Sequence, residues 1–296
     1  MKNIQPTVQK NHDGKINFRN NPMIELMNQG LLGKVGNGLF VLKGQLVQII
    51  NKFDNIFCDI AHSYLAEHLI VPSNLSWPNT IKSEYLNSFK NQAVALKKYM
   101  DESNNEYHGV ASPTVCYHCF SYLSNQTINK NSVFTALSSC TRNENGKLDN
   151  LARLSNFHMR EIVFLGSEKY CTITLKEILD ITFSIFSETF DIQFKISTAS
   201  DPFFGEDNNL KMQAQLASES KYEILAYIPH DDSYLSISSF NNHGKIFFKR
   251  FDIIPGAPEL NFSGCVGWGY ERILYAILCQ KGTDFTNSYY KEILTK

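Results

Sequence analysis

The pairing around one turn constrains this 296-residue chain more than any other feature. Ser139 to Glu144 leads into Asn145-Gly146, a dipeptide that favours tight turns because both residues tolerate the left-handed backbone region. A polar stretch reaches Asn150, and Ser155 to Gly166 is then the longest and best bounded strand-like run. The pattern predicts two antiparallel strands joined by a mobile loop. Thr174 to Phe190 places Ile178, Leu179, Ile181, Thr182, Ile185 and Phe186 on one side of a helix. Further strands are expected at Ile192 to Thr198, Tyr222 to Ile228 and Ile246 to Ile253, and a helix at Glu271 to Cys279. This order predicts an α+β fold, an antiparallel sheet with helices packed against it.

Upstream, residues 1–20 are rich in Lys, Asn and Gln without apolar periodicity and are expected to be a disordered leader. From Val41 to Leu69, the residues Leu46, Ile49, Ile50, Phe53, Ile56, Ile60, Ala61 and Leu65 recur at helical spacing, predicting a long amphipathic helix or a pair. Pro72 to Pro78 breaks it, Glu84 to Met100 offers a second helix, and Asp101 to Tyr107 is expected to be a polar loop. The expected organisation is a leader (1–20), an N-terminal helical part (21–110) and a larger catalytic core (111–296).

A net charge of −1 gives no chain-wide electrostatic reason to expect nucleic acid. No stretch approaches eighteen uninterrupted apolar residues, and the N-terminus lacks a signal-peptide pattern, so a cytoplasmic protein without membrane contact is expected. Seven cysteines fit reduced thiols and metal ligation better than a disulfide framework.

Strand alternation puts Arg142 and Glu144 on one face of the first strand, and Phe157 and Glu161 on one face of the second. Such a mixed polar face suits a nucleotide: an Arg forks hydrogen bonds to phosphate, a Phe stacks on a base, and a carboxylate accepts from an amine or holds a metal. The same pattern also describes solvated surface charges. In Gly267-Trp268-Gly269-Tyr270-Glu271-Arg272, the two glycines let backbone approach a ligand just before a helix, or serve tight strand-to-helix packing.

Taken together these segments resemble class II aminoacyl-tRNA synthetases, with an Arg-x-Glu pair (Arg142-Asn143-Glu144), a loop, a strand bearing Phe157, and spaced glycines before Glu271-Arg272. The resemblance extends to the truncated, seryl-tRNA-synthetase-like amino acid:carrier protein ligases. It runs through Glu84 to Phe89, Pro113 to Tyr117, Phe157 to Glu161, Ala199 to Phe204, Lys221 to Glu223, Ser239 to His243 and Cys265 to Gly267.

That resemblance implies a Zn²⁺ held by Cys116, Glu161 and Cys265, with the fourth position open to the substrate amine, as in catalytic zinc sites. Cys116 is preferred over Cys119 because it follows the Pro-x-x-Cys-Tyr pattern. It implies Arg142 on the α-phosphate, Arg272 on the γ-phosphate, Glu144 on the adenine amine, Phe157 on the adenine face, Arg153 on the outer phosphates and Glu223 on Mg²⁺. Asp201 and Asn241 would line the amino-acid pocket; His158 is expected to be structural and His243 a loop residue.

The implied reaction is ATP-dependent activation of glycine or alanine as the aminoacyl-adenylate, then transfer to the phosphopantetheine thiol of a carrier protein. A homodimer is expected, with residues 21–110 offering carrier or dimer contacts. The lack of a long charged N-terminal coiled coil argues against tRNA as partner. The rivals are an aminoacyl-tRNA synthetase and a catalytically silent ligand-binding relative. Three departures bear on substrate choice: Thr141 at a usually aromatic position, His158 for Arg, and Asn242 for Tyr.

Overall fold

Strand alternation along Asn156–Gly166 divides the molecule into two layers. Ile162 and Phe164 point into one apolar core, while Val163 and Leu165 point into another on the opposite face. In the computed structural model, which describes residues 4–97, 107–205 and 207–295, this strand belongs to an eight-stranded sheet. Its members are β1 (Val8–His12), β2 (Glu67–His68), β3 (Ser132–Thr141), β4 (Asn156–Gly166), β5 (Phe194–Thr198), β6 (Lys221–Ile228), β7 (Ser233–Gly244) and β8 (Phe262–Gly269). The spatial order is β1-β5-β6-β7-β8-β4-β3-β2, antiparallel except for the short β2–β3 pair.

Helices α1 (Gln45–Ser63), α3 (Glu168–Ser184) and α4 (Tyr270–Lys281) cover the first face. Trp268 of the glycine run stacks on Phe57 of α1, ring centroids 4.5 Å apart and planes within 10°. The N-terminal helix therefore shares one core with the sheet. Helix α2 (Cys116–Tyr122) and the short helices Tyr85–Phe89 and Ile246–Arg250 cover part of the second face. The polar cleft opens on that face.

The α+β expectation, the strand pair around Asn145-Gly146 and the closing helix match this architecture. Three segments differ. Within the expected leader, Val8–His12 is an edge strand on Phe194–Thr198; its mostly exposed side chains, polar after Val8, hide it from apolar periodicity. Ile246 to Ile253 contains a helix, because Phe247, Phe248 and Phe251 at helical spacing reach the same core. Glu84 to Met100 is a short helix, a 3₁₀ turn and then the strand Ala95–Lys97, which pairs with Tyr107–Ala111; Lys98 to Met100 lie outside the described residues. The expected loop from Asp101 also lies outside them up to residue 106. Residues 21–110 are consequently mixed rather than helical, with a further hairpin at Leu32–Gly36 and Leu39–Leu42.

Candidate active site

Sheet register lays out the floor of the cleft in two rows. Lys221, Asn241 and Cys265 are successive cross-strand partners on β6, β7 and β8; Glu223, Ser239, Gly267 and Glu161 are partners on β6, β7, β8 and β4. Gly267 fits its place because a Cβ there would lie 3.1 Å from Met159 Sδ and 3.4 Å from Glu161 Cγ. At Gly269 a Cβ would meet nothing closer than 3.9 Å, so no such crowding applies. The cavity above these rows measures about 940 Å³.

At one end, one ligand-type atom each of Cys116, Glu161 and Cys265 lies within 4.8 Å of the other two, and all three residues are buried. Among the described residues this is the one such group. Cys119, one helical turn on, is not part of it. The Glu161 carboxylate accepts from the Val115 N–H at 2.9 Å, the Cys116 N–H at 3.2 Å and the Thr114 hydroxyl, which fixes it against the start of α2. The Cys116 thiol hydrogen-bonds to Cys265, whose sulfur in turn approaches Glu161. That contact raises the Cys116 thiol, and burial adds to it; at Cys265 the same contact works downward, but burial and Glu161 outweigh it. Two thiols and a carboxylate with a shared focus are donors that a soft-to-borderline divalent ion satisfies, displacing the thiol protons. The group could hold a metal ion.

Arginines gather at the other end. Arg142, just past β3, donates through Nε to the Pro113 carbonyl at 2.9 Å and lies 5.2 Å from the Phe157 ring centroid. Arg272, in the first turn of α4, donates to the carbonyls of Ala152 at 2.9 Å and Ser236 at 3.3 Å. Burial, then the neighbouring Arg142 charge, hold its pKa below the usual guanidinium value. Two cations facing one cavity form a site for an anion. Glu144 lines the same cavity. Arg153 stands outside the lining, half-exposed, donating to the Asn145 carbonyl and 3.9 Å from Glu144.

In the row of Cys265, Lys221 is buried, its Nζ 2.5 Å from Asp201 and 3.0 Å from Glu223. Burial works against charge on both sides of this contact, yet the pairing wins: Asp201 is held below, and Lys221 above, its ordinary value. Asp201 is further fixed by Gln215 at 2.9 Å. Of the sequence-derived residues, all but Arg153 line one cavity.

No family model matches the chain. It is 28% identical over 179 residues to amino acid–(acyl-carrier-protein) ligase 1 of Bradyrhizobium diazoefficiens, covering 60% of this chain and 54% of that protein. It is 25% identical over 186 residues to the type-2 serine–tRNA ligase of Methanopyrus kandleri, covering 59% and 35%. Among solved structures, the M. kandleri seryl-tRNA synthetase in complex with A. aeolicus tRNASec superimposes on 97% of this chain and 63% of that one, with TM-score 0.83 and 18% identity. The fold is that of the class II seryl-tRNA synthetases. The chain is a homologue of both groups of ligases. This ligase homologue spans about half or less of the length of these two curated relatives.

Two features of the ligase homologue escape sequence reasoning. Lys221 stands two residues before Glu223 on one strand face, a spacing that a search for oppositely charged i, i+2 strand pairs would flag. His243 lies not in a loop but near the end of β7, its Nε2 3.4 Å from Cys265 Sγ. Burial drives its pKa down to about 3.

Proposed function

We propose that this chain activates a small amino acid, glycine or alanine, with ATP and passes the aminoacyl group to the phosphopantetheine thiol of a carrier protein. The observation that carries this reading is one cleft with a Cys/Glu/Cys group at one end and Arg142, Phe157 and Arg272 at the other. The amino acid–(acyl-carrier-protein) ligases among the relatives support the carrier protein as acceptor.

In this reading Cys116, Glu161 and Cys265 hold Zn²⁺, which supplies a Lewis-acidic seat for the substrate's neutral amino group. Asp201, Asn241 and Glu161 surround that end of the cleft. Phe157 stacks on adenine, Glu144 accepts from its exocyclic amine, and Arg142 and Arg272 clamp the α- and γ-phosphates. Arg153 reaches the outer phosphates from the rim, and Glu223 would help to hold Mg²⁺, which would neutralise phosphate charge. A substrate carboxylate oxygen attacks the α-phosphorus in line and pyrophosphate leaves; a thiolate then attacks the acyl carbon and AMP leaves. No covalent enzyme intermediate is needed, so positioning and charge neutralisation by the arginines supply the rate enhancement. We also propose a cytoplasmic homodimer; the nearly fully exposed Leu65 and Ile70, on either side of β2, are among the exposed apolar residues available to it. No described helix is long and apolar enough to cross a membrane.

The test is amino-acid-dependent ATP–pyrophosphate exchange across the twenty amino acids, with zinc content assayed on the same sample. Exchange confined to glycine or alanine supports the reading, and no exchange with any amino acid rejects activation. The type-2 serine–tRNA ligases among the relatives favour a second reading, aminoacylation of tRNA. Serine-dependent exchange together with salt-sensitive tRNA binding would select it.

A further inference from the structure

Strand β7 carries an extra residue beside the Cys/Glu/Cys group. Asn241 pairs with Cys265 and Asn242 with Gly264, but Gly244 then pairs with Ser263, leaving His243 unmatched in a bulge. Bulges re-aim side chains, and the left-handed Gly244 (φ +56°) lets the backbone recover. The result brings two nitrogens onto one sulfur: His243 Nε2 lies 3.4 Å, and Asn241 Nδ2 3.6 Å, from Cys265 Sγ. Phe247 and Phe120 meet the imidazole edge-on, at 4.7 Å and 5.7 Å, and hold its plane. Its Nδ1 sits 3.5 Å from the fully buried Ser263 hydroxyl. A metal-bound thiolate has no proton and only accepts, so against it the ring carries its proton on Nε2 and leaves Nδ1 to accept from the Ser263 hydroxyl.

We propose that His243 is a positioning residue acting through Cys265, fixing the sulfur with an N–H···S bond and, together with Asn241, withdrawing negative charge from it. The inference rests on reading Cys116, Glu161 and Cys265 as a zinc site. Two thiolates and a carboxylate bring three negative charges to a divalent ion, leaving the buried site net negative, where charge is costly. It is then a poor acceptor for a neutral amine and a poor neighbour for a triphosphate. Hydrogen bonds to ligating sulfur reduce that charge without adding a ligand.

Cobalt(II) loaded into the full chain in place of zinc reports sulfur charge through its thiolate-to-metal absorption band. His243→Phe keeps the ring and loses the N–H, so its band should move to longer wavelength. Its metal affinity, measured by chelator competition, should fall about tenfold. His243→Gln, which returns an N–H near the same place, should recover most of both. An unchanged band and affinity in His243→Phe overturn the inference, as does a His243→Gln variant that behaves like His243→Phe. If His243→Phe does not fold, His243→Leu takes its place and is read in the same way. A wild-type chain that retains no cobalt, or a Cys265→Ala variant with an unaltered spectrum, rejects the zinc site itself and the inference with it.

Discussion

Glu271 grips His158 at two points: its Oε2 accepts the His158 backbone N–H at 2.8 Å, and its Oε1 lies 2.6 Å from the ring Nδ1. The contact ties β4 to the first turn of α4, one residue before Arg272. The carboxylate hydrogen bond raises the His158 pKa, outweighing partial burial. A raised folded-state pKa gives stability that is full below the unfolded value of about 6.5 and is lost as pH rises through the folded value. The ring is half-exposed, so screening keeps the effect small. The melting temperature of wild type over His158→Gln should be greater at pH 6 than at pH 9 by about 1–2 °C, measured by calorimetry. An equal difference at both pH values would exclude a charged pair.

Removing any one of the three donors should empty the proposed metal site. In Cys116→Ala, Glu161→Gln and Cys265→Ala, retained zinc should fall at least about tenfold, measured on dialysed protein by elemental analysis. Thr114→Val, which takes one donor from the Glu161 carboxylate, should weaken zinc binding by less.

Arg142→Lys keeps the charge but loses the planar fork that bonds Pro113 and faces Phe157. Amino-acid-dependent pyrophosphate exchange should drop about 100-fold, while zinc content stays at the wild-type level. A loss of zinc in this variant would show that the two ends of the cleft are not independent.

Lys221→Met strands Asp201 and Glu223 as two close, uncompensated carboxylates. With Lys221 buried and both carboxylates partly exposed, the loss is about 2 kcal/mol, which urea unfolding at neutral pH would read. Adding Asp201→Asn and Glu223→Gln should restore much of that stability without restoring exchange. Lack of recovery would mean that Lys221 stabilises by packing its stem rather than by charge.

The residues at the arginine end of the cleft were legible because their spacing is local: an Arg-x-Glu at a turn and a Glu-Arg opening a helix survive as short patterns. The metal-type group needed three segments about 45 to 100 residues apart, joined only by the family resemblance, since no spacing within the chain marks Cys265 as a partner of Cys116. Strand β7 was missed as a strand for a physical reason. Its cleft face carries Ser236, Ser239 and Asn241, so the strand that floors a polar site reads as polar and loop-like. Ile246 to Ile253 erred the other way, since a short apolar run does not distinguish strand from helix. His243 was invisible because its position depends on a bulge, and a bulge is a mismatch between two strands rather than a property of one.

The place of β8 in the sheet has a consequence for biosynthesis. It lies between β7 and β4, so as the chain emerges the β3–β4 pair and the β5–β6–β7 sheet are two separate pieces, each with an open edge. Only Phe262–Gly269, arriving late, zips them together, and it carries Cys265 and Gly267 directly ahead of Arg272. A nascent chain cannot assemble the cleft early and work half-made, because the segment that seals the sheet also delivers Cys265 and Gly267, with Arg272 just behind it.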